Sequence, residues 1–441
     1  MTNHNADFLV VGGGPGGKSV ASNMARRGHS VQILEAREEG SLHPPLVCDD
    51  FDVRTLRELG AGNLLRGTTN GKQDGFEIYS SDGTCLEFDP LPERTTPVSR
   101  SIFDQNQTAD AHDAGVKIEW GARVDEILGD GHTVKVGGVE FTANKKIINA
   151  AGAKWGPNGK NFKKGDVING RRMFLGPGIQ TLKKGAARKV HIMAQIPGLE
   201  ASPEVCWCNR TPEGYWDIFI GSLEQEPTPE MIQKTLDYFR DFHGVSFGDE
   251  IYSYDAPIPV GCPVTDVDKD GVFRIGDAAS AADPMMGSGV TPTLQSADLA
   301  AEYLDKHDYG EGPELTNVEV ASYLVEMMDN YGAGHFATKR LEELLAKHPE
   351  MVNVLVRTRA MTKEDGAAAV GGMGIDLGPG ALLGKSVRLL LGGNFISFGR
   401  MATTIPGAAI GKRALSHLSI PQDDEAARET LDRIDRIMGR E

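Results

Sequence analysis

The run Phe8-Leu9-Val10-Val11-Gly12-Gly13-Gly14-Pro15-Gly16-Gly17 reads as a short β-type segment ending in a glycine turn, which Lys18 to Arg27 continue as a helix. A second β-type run, Ser30 to Leu34, ends at Glu35, eighteen residues after Gly17. Strand, turn, helix, strand and acidic residue together fit the G-x-G-x-x-G pattern of a dinucleotide site. In that pattern Gly12 allows the tight turn, Gly14 lets backbone approach a pyrophosphate, and Gly17 lets the helix pack closely on the strand. The helix N-terminus offers N–H groups and partial positive charge to phosphates, and Glu35 accepts hydrogen bonds from a ribose.

Outward from this motif, two later stretches return to the same unit. Pro97-Val98-Ser99-Arg100 leads into a helix to about Ala114, followed by β-type runs at Val116 to Trp120, Val124 to Leu128 and up to Ile148, which ends in Asn149-Ala150-Ala151-Gly152. Much later, Gly271 to Ala279 reads as a strand with a polar turn, and Gly287-Ser288-Gly289-Val290 begins a helix through Tyr303. Stretches of mixed β character separate these pieces. The pattern predicts an α/β protein: a discontinuous Rossmann-type domain (1–59, 97–152 and 266–310), an inserted β-rich substrate domain (60–96 and 153–265) and a C-terminal helical region (311–441). In that last region Leu341, Leu344 and Leu345 share a stripe, a glycine-rich stretch runs from Gly366 to Gly384, and Ala427, Leu431, Ile434 and Met438 mark an amphipathic surface helix.

The 441 residues carry 46 Lys and Arg against 62 Asp and Glu, a net charge of −16, which argues against nonspecific nucleic-acid binding. Glycine, at 54 residues, is about 12% of the chain against a usual 7% or so. Five scattered cysteines and no zinc-type spacing point to a reducing compartment, and the eleven histidines suggest no metal site. The N-terminus lacks the basic region of a signal peptide, and no run approaches the ~18 apolar residues of a membrane span. The expectation is a cytoplasmic protein, with peripheral membrane contact left open. Charge is uneven: between Lys154 and Lys189, ten Lys and Arg stand against the single Asp166, a local +9. This is either a solvated loop or a docking face for an anion, such as a phosphorylated substrate, anionic lipid heads, a nicotinamide phosphate or an acidic electron carrier.

These residues resemble the geranylgeranyl reductase family of flavoproteins, within the group built like p-hydroxybenzoate hydroxylase. The likeness spans roughly residues 7–305. The glycine turn is similar to the family's FAD pyrophosphate loop and Glu35 to its adenosine ribose ligand. Pro44-Pro45-Leu46-Val47-Cys48 resembles the segment that brings a cysteine towards the flavin, and Ser99-Arg100-Ser101-Ile102-Phe103-Asp104 the R-x-x-F-D helix start. Gly214-Tyr215-Trp216-Asp217-Ile218-Phe219-Ile220 is a variant of the substrate-strand motif Y-x-W-x-F-P, and Gly276-Asp277-Ala278-Ala279 with Pro284 and Gly287-Ser288-Gly289 is similar to the second flavin motif. Departures are Ala150-Ala151-Gly152 in place of A-D-G, tryptophan directly after tyrosine at 215 and 216, isoleucine for the final proline, and Asp49-Asp50 after Cys48.

The resemblance implies FAD held by Gly12, Gly14, Pro15, Gly16, Gly17, Glu35, Ala36, Arg37, Arg100, Val124, Gly276, Asp277, Gly287, Gly289 and Val290. Asp277 would bond the ribityl hydroxyls, and the helix start at Gly287 to Val290 would face the flavin's pyrimidine edge. The implied activity is reduction of C=C bonds in a polyprenyl lipid, quinone or diphosphate, with Cys48, Tyr215 and Trp216 as catalytic candidates. Cys48 is a proton donor or flavin-gating thiol, or simply a small buried hydrophobe. Tyr215, Trp216 and Phe219 line an apolar tunnel or form sheet core. Cys206-Trp207-Cys208 reads as core packing or pocket wall rather than a redox pair. With no second complete G-x-G-x-x-G, the reductant is either NAD(P)H bound transiently over the flavin or a carrier such as ferredoxin, received at residues 154–189. Two other readings share these residues: an FAD-dependent aromatic monooxygenase or halogenase, and a flavoprotein that passes electrons to a quinone.

Overall fold

The computed structural model describes residues 5–40, 48–68, 76–79, 85–88, 95–153, 162, 166–177, 189–192, 205–211, 215–310, 312–348, 350–358 and 395–439. In chain order the first strands are β1 (Asn5–Val11), β2 (Val31–Glu35), β3 (Cys48–Asp52), β4 (Phe76–Tyr79), β5 (Cys85–Phe88), β6 (Thr95–Ser99) and β7 (Lys117–Trp120). They continue with β8 (Glu126–Ile127), β9 (Thr133–Val136), β10 (Val139–Asn149), β11 (Val167–Pro177), β12 (Lys189–Ile192), β13 (Val205–Arg210) and β14 (Trp216–Ser222). The last are β15 (Phe247–Asp255), β16 (Ile258–Pro259), β17 (Asp268–Lys269) and β18 (Val272–Arg274). The helices that matter to the site are α1 (Pro15–Arg26), α2 (Val53–Glu58), α3 (Arg100–Asp113), α4 (Pro229–His243) and α5 (Val290–Lys306).

The first sheet runs β17-β18-β10-β1-β2-β7, with the β8-β9 ribbon joined to β10. Strands β18, β10, β1, β2 and β7 are parallel, so β1 is flanked by Ile147 and Ile148 on one side and Val31 to Leu34 on the other. Both faces of such a sheet must be covered, which is why β1 and β2 are nearly continuous apolar runs. Phe8, Val10 and Ile33 pack on one face under α1 and α5, with Val20, Met24, Ala297 and Ala301. Leu9, Val11 and Leu34 pack on the other, with Val124, Val134, Phe141 and Val272. This is the Rossmann-type α/β arrangement expected from the glycine turn.

One charge is buried at the sheet's edge. Lys146, fully buried on β10, pairs with Asp268 of β17 at 2.6 Å and also donates to the Pro313 carbonyl. A lone ammonium there would be costly, and its two partners compensate it.

The second sheet runs β15-β11-β14-β13-β12-β4-β5, antiparallel except for the β12-β4 pair. Alternation divides its strands between two faces. Met173, Leu175, Cys206, Cys208, Trp216, Ile218 and Ile220 pack beneath α4 against Met231 and Phe239. Arg172, Trp207, Asp217 and Phe219 occupy the other face, as their cross-strand register requires. Strands β3 and β6 form a separate two-stranded piece.

Beyond α5 the chain is helical, with α6 (Asn317–Met327), α7 (Ala333–Lys347), α8 (Glu350–Thr358), α9 (Phe395–Ser416) and α10 (Asp424–Met438) among the described residues. Leu341, Leu344 and Leu345 are buried together on α7, and Ala427, Ile434 and Met438 hold α10 to the core. The stretch Gly366 to Gly384 lies outside the described residues. Among those described, no helix is long and apolar enough to cross a membrane, and no cluster of His, Cys, Asp and Glu is arranged for a metal.

Candidate functional site

The glycine motif acts through its backbone. Gly12 has φ +99°, and a Cβ there would lie 2.6 Å from the Ala150 carbonyl oxygen. A Cβ on Gly17 would sit 1.9 Å from the Gly12 oxygen, so α1 approaches β1 as closely as it does only without a side chain. At Gly14, by contrast, a Cβ would meet nothing within 4 Å, because this residue faces open cavity. The helix begins at Pro15, earlier than Lys18, with Gly14 as its N-cap and no side-chain cap. Its first N–H groups are therefore available to an anion.

Glu35, at the C-terminal end of β2, is held from both sides. The Gly13 N–H donates to its Oε2 at 2.5 Å, and the Arg37 backbone N–H and Nε donate to Oε1 at 2.8 and 3.1 Å. Beneath the turn, Lys18 is fully buried and paired with Asp104 of α3 at 2.5 Å, with Arg37 3.5 Å from the same carboxylate. Burial lowers the Lys18 pKa, and Asp104 opposes that shift.

The later motif comes to the same place from the far side of the sheet. After β18 the chain makes a short 3-10 turn, Gly276–Ala279, that carries Asp277, and α5 then starts at Val290 with Gly289 as N-cap and no side-chain cap. Burial pushes the Asp277 carboxyl up to about 6, while Arg100 opposes that shift. Strand β3 closes this side, with the Asp52 N–H donating to Thr291 Oγ1 at 3.3 Å.

These segments enclose one cavity of about 610 Å³. Gly12, Gly14, Pro15, Gly16, Glu35, Ala36, Arg37, Arg100, Val124, Gly276, Asp277, Gly287, Gly289 and Val290 all line it. Gly17 does not, and its part is the helix–strand contact described above. Two helix N-termini without side-chain caps, a carboxylate at the end of β2 and a second one on the α5 side suit a flavin nucleotide. Such a ligand brings a diphosphate, a ribose and a hydroxylated chain, and its ring gains negative charge on reduction.

The wall from the second sheet is different from what the sequence suggests. Trp216 is buried against Met231 and Phe239 on the α4 side, where its Nε1 donates to the Ser246 carbonyl at 3.1 Å. It does not reach the cavity, so its candidate catalytic role is corrected to core packing; residues 216 and 219 lie on opposite faces of a strand. Tyr215 precedes the strand, accepts no place in the cavity lining, and its N–H donates to Thr211 Oγ1. Cys206 and Cys208 are buried on the α4 face, where burial raises both thiol pKa values. Cys48 opens β3 opposite Ser99, but its thiol lies outside what the structure describes.

What fills this wall is a group of residues that sequence reading did not assemble. Arg172 of β11 forks onto Asp217 of β14, Nε to Oδ1 at 2.9 Å and a terminal nitrogen to Oδ2 at 2.6 Å. Its other terminal nitrogen donates to Asp49 of β3 at 2.9 Å, and Arg100 of α3 donates to the second Asp49 oxygen at 2.8 Å. Trp207 stacks on Phe219 at 4.1 Å between ring centroids, with the Arg172 guanidinium 5.8 Å from its ring. Burial works against the Arg172 charge, but Asp217 and Asp49 outweigh it and hold the guanidinium protonated. Arg172 therefore does not belong to the basic docking face inferred for residues 154–189. Arg171 is half-exposed and bonds Asp255 and Ser253. The Lys189 backbone is described within β12, and the remaining Lys and Arg of that stretch lie outside the described residues.

No family model matches the chain. Among curated proteins, it is 25% identical over 338 residues to digeranylgeranylglycerophospholipid reductase 1 of Methanococcoides burtonii, covering 69% of this chain and 76% of that protein. It is also 25% identical over 369 residues to menaquinone reductase of Mycobacterium tuberculosis, covering 77% and 84%. Among solved structures, a geranylgeranyl bacteriochlorophyll reductase-like protein of Thermoplasma acidophilum superposes with TM-score 0.68 at 18% identity, over 93% of this chain and 99% of that one. Flavin-dependent halogenases and hydroxylases superpose as well, at 15–17% identity. Sequence relatives that are reductases and structural neighbours that are flavoproteins together support an FAD-dependent oxidoreductase.

Proposed function

We propose that the protein reduces C=C bonds of a polyprenyl lipid or polyprenyl quinone with FAD as its resident cofactor. The observation that carries this reading is the convergence of residues 12–16, 35–37, 276–277 and 287–290 on one cavity. In this reading the N–H groups at the start of α1 hold the diphosphate, Glu35 the adenosine ribose and Asp277 the ribityl chain. The uncapped start of α5 stabilises the charge that the ring acquires. Bound FAD, once reduced, supplies hydride to one carbon of the double bond.

The second carbon needs a proton, since hydride addition leaves the electron pair of the double bond on it and a bare carbanion is costly. Cys48 is the proposed donor, through the hydrogen on its Sγ, and neither Tyr215 nor Trp216 is retained in that role. The reductant is proposed to be NAD(P)H bound transiently or an acidic carrier protein such as ferredoxin meeting the basic stretch 154–189, now without Arg172. A lipid substrate also favours peripheral contact with a membrane.

The names of the sequence relatives favour this activity over the halogenase and monooxygenase readings, which share the fold. The test is anaerobic reduction of the FAD-loaded protein with prenyl lipids, followed by mass analysis of the extract. Gain of hydrogen pairs by a prenyl lipid is expected. Flavin turnover with no lipid gaining mass would overturn the assignment, and oxidation by a quinone without C=C reduction would favour the electron-transfer alternative.

A further inference from the structure

Between the uncapped start of α5 and the second sheet stands an alternating series of charges: Asp277, Arg100, Asp49, Arg172 and Asp217. All except Asp217 line the cavity, and Asp217 backs it through the Arg172 fork. Arg100 and Arg172 grip opposite oxygens of the Asp49 carboxylate, at 2.8 and 2.9 Å. Side-chain exposure falls from 26% at Asp49 to 9% at Arg172 and 1% at Asp217. Charges so enclosed act on a cavity ligand with little solvent screening.

A wall built only to contact an apolar chain would have no use for four ionised groups. A wall facing a ring that gains negative charge on reduction does, because each fixed charge there weights one redox state over the other. We propose that Asp49 and Arg172 set the reduction potential of the bound FAD, with opposite signs. The inference rests on the FAD-dependent reading above. Asp49 disfavours the added electrons, Arg172 favours them, and their mutual bond keeps the two contributions near balance.

The opposite signs provide the test. Wild-type, Asp49→Asn and Arg172→Gln proteins loaded with FAD are titrated anaerobically with dithionite in the presence of a dye of known potential. The flavin takes two electrons, and its reduced-to-oxidised ratio is read against the dye. Asn at 49 is expected to raise that ratio about tenfold at a fixed dye potential, a shift of ~30 mV for two electrons, and Gln at 172 to lower it by a similar factor. Arg172→Lys, which retains the charge, is expected to stay within a factor of about two of wild type. Shifts of the same sign in both neutralised variants, a Lys variant that behaves like the Gln variant, or unchanged ratios in yellow holoproteins would overturn the proposal and leave FAD binding standing. Wild-type protein that remains colourless after incubation with FAD would overturn the reading beneath it.

Discussion

Asp283 is fully buried in the segment that leads into α5, and its two carboxylate oxygens are used unequally. Oδ1 accepts the N–H groups of Met285 and Met286, each at 3.0 Å, while among the described residues Oδ2 meets no hydrogen-bond donor. Burial pushes this carboxyl up to about 7 from an ordinary 3.8, against the pull of the two backbone donors. Between those pH values the folded protein keeps a proton that the unfolded chain has released, so stability falls as pH rises through that window. Replacing Asp283 by Asn keeps an acceptor for both N–H groups and removes the ionisation. The variant is expected to be more stable than wild type at pH 8, by on the order of 2–4 kcal/mol, and little changed at pH 4. Thermal midpoints recorded at the two pH values check this, and an equal shift at both would contradict it.

At the scale of the element, β14 decides what the second sheet contributes. Its odd-numbered residues, Asp217 and Phe219, face the cavity side, and its even-numbered ones, Trp216, Ile218 and Ile220, face α4. Trp216→Ala is therefore expected to cost about 3–5 kcal/mol of stability and to leave FAD affinity unchanged. Trp207→Ala, on the cavity wall, is expected to weaken lipid turnover at least tenfold with a smaller loss of stability. Denaturant titration, flavin titration and a lipid-turnover assay of the two variants separate these outcomes. The same strand shows where sequence reading reaches its limit. Gly12 to Gly17 were legible from the strand, turn and helix around them and Glu35 from its spacing after that turn, whereas the flavin roles of Asp277 and Gly287 to Val290 came from the family resemblance. The period of two in β14 was also legible, and it places Trp216 and Phe219 on opposite faces, which a reading of the motif as one aromatic wall overlooks. The charged series was not legible, since Arg100, Asp49, Arg172 and Asp217 come from four separate elements. Arg172, set among surface-type lysines in the sequence, carries no local mark of its burial.

For the molecule as a whole, the decisive feature is the order of the first sheet. β1 pairs with β10, and β10 with β18, so strands from three distant parts of the chain lie side by side around the cavity. Closing these contacts requires ordering long loops, although the entropic cost grows only slowly with loop length. A fragment ending at residue 265 keeps Gly12 to Gly17 and Glu35 but loses β18, Asp277 and α5. It is expected to bind FAD at least a hundredfold more weakly than the full chain, and fluorescence titration of the two proteins checks this. In the cell, the same strand order sets a time for cofactor capture. A nascent polypeptide on the ribosome displays its glycine turn long before α5, and it has no finished cradle until α5 has left the exit tunnel, so in the proposed reading flavin insertion follows the emergence of α5.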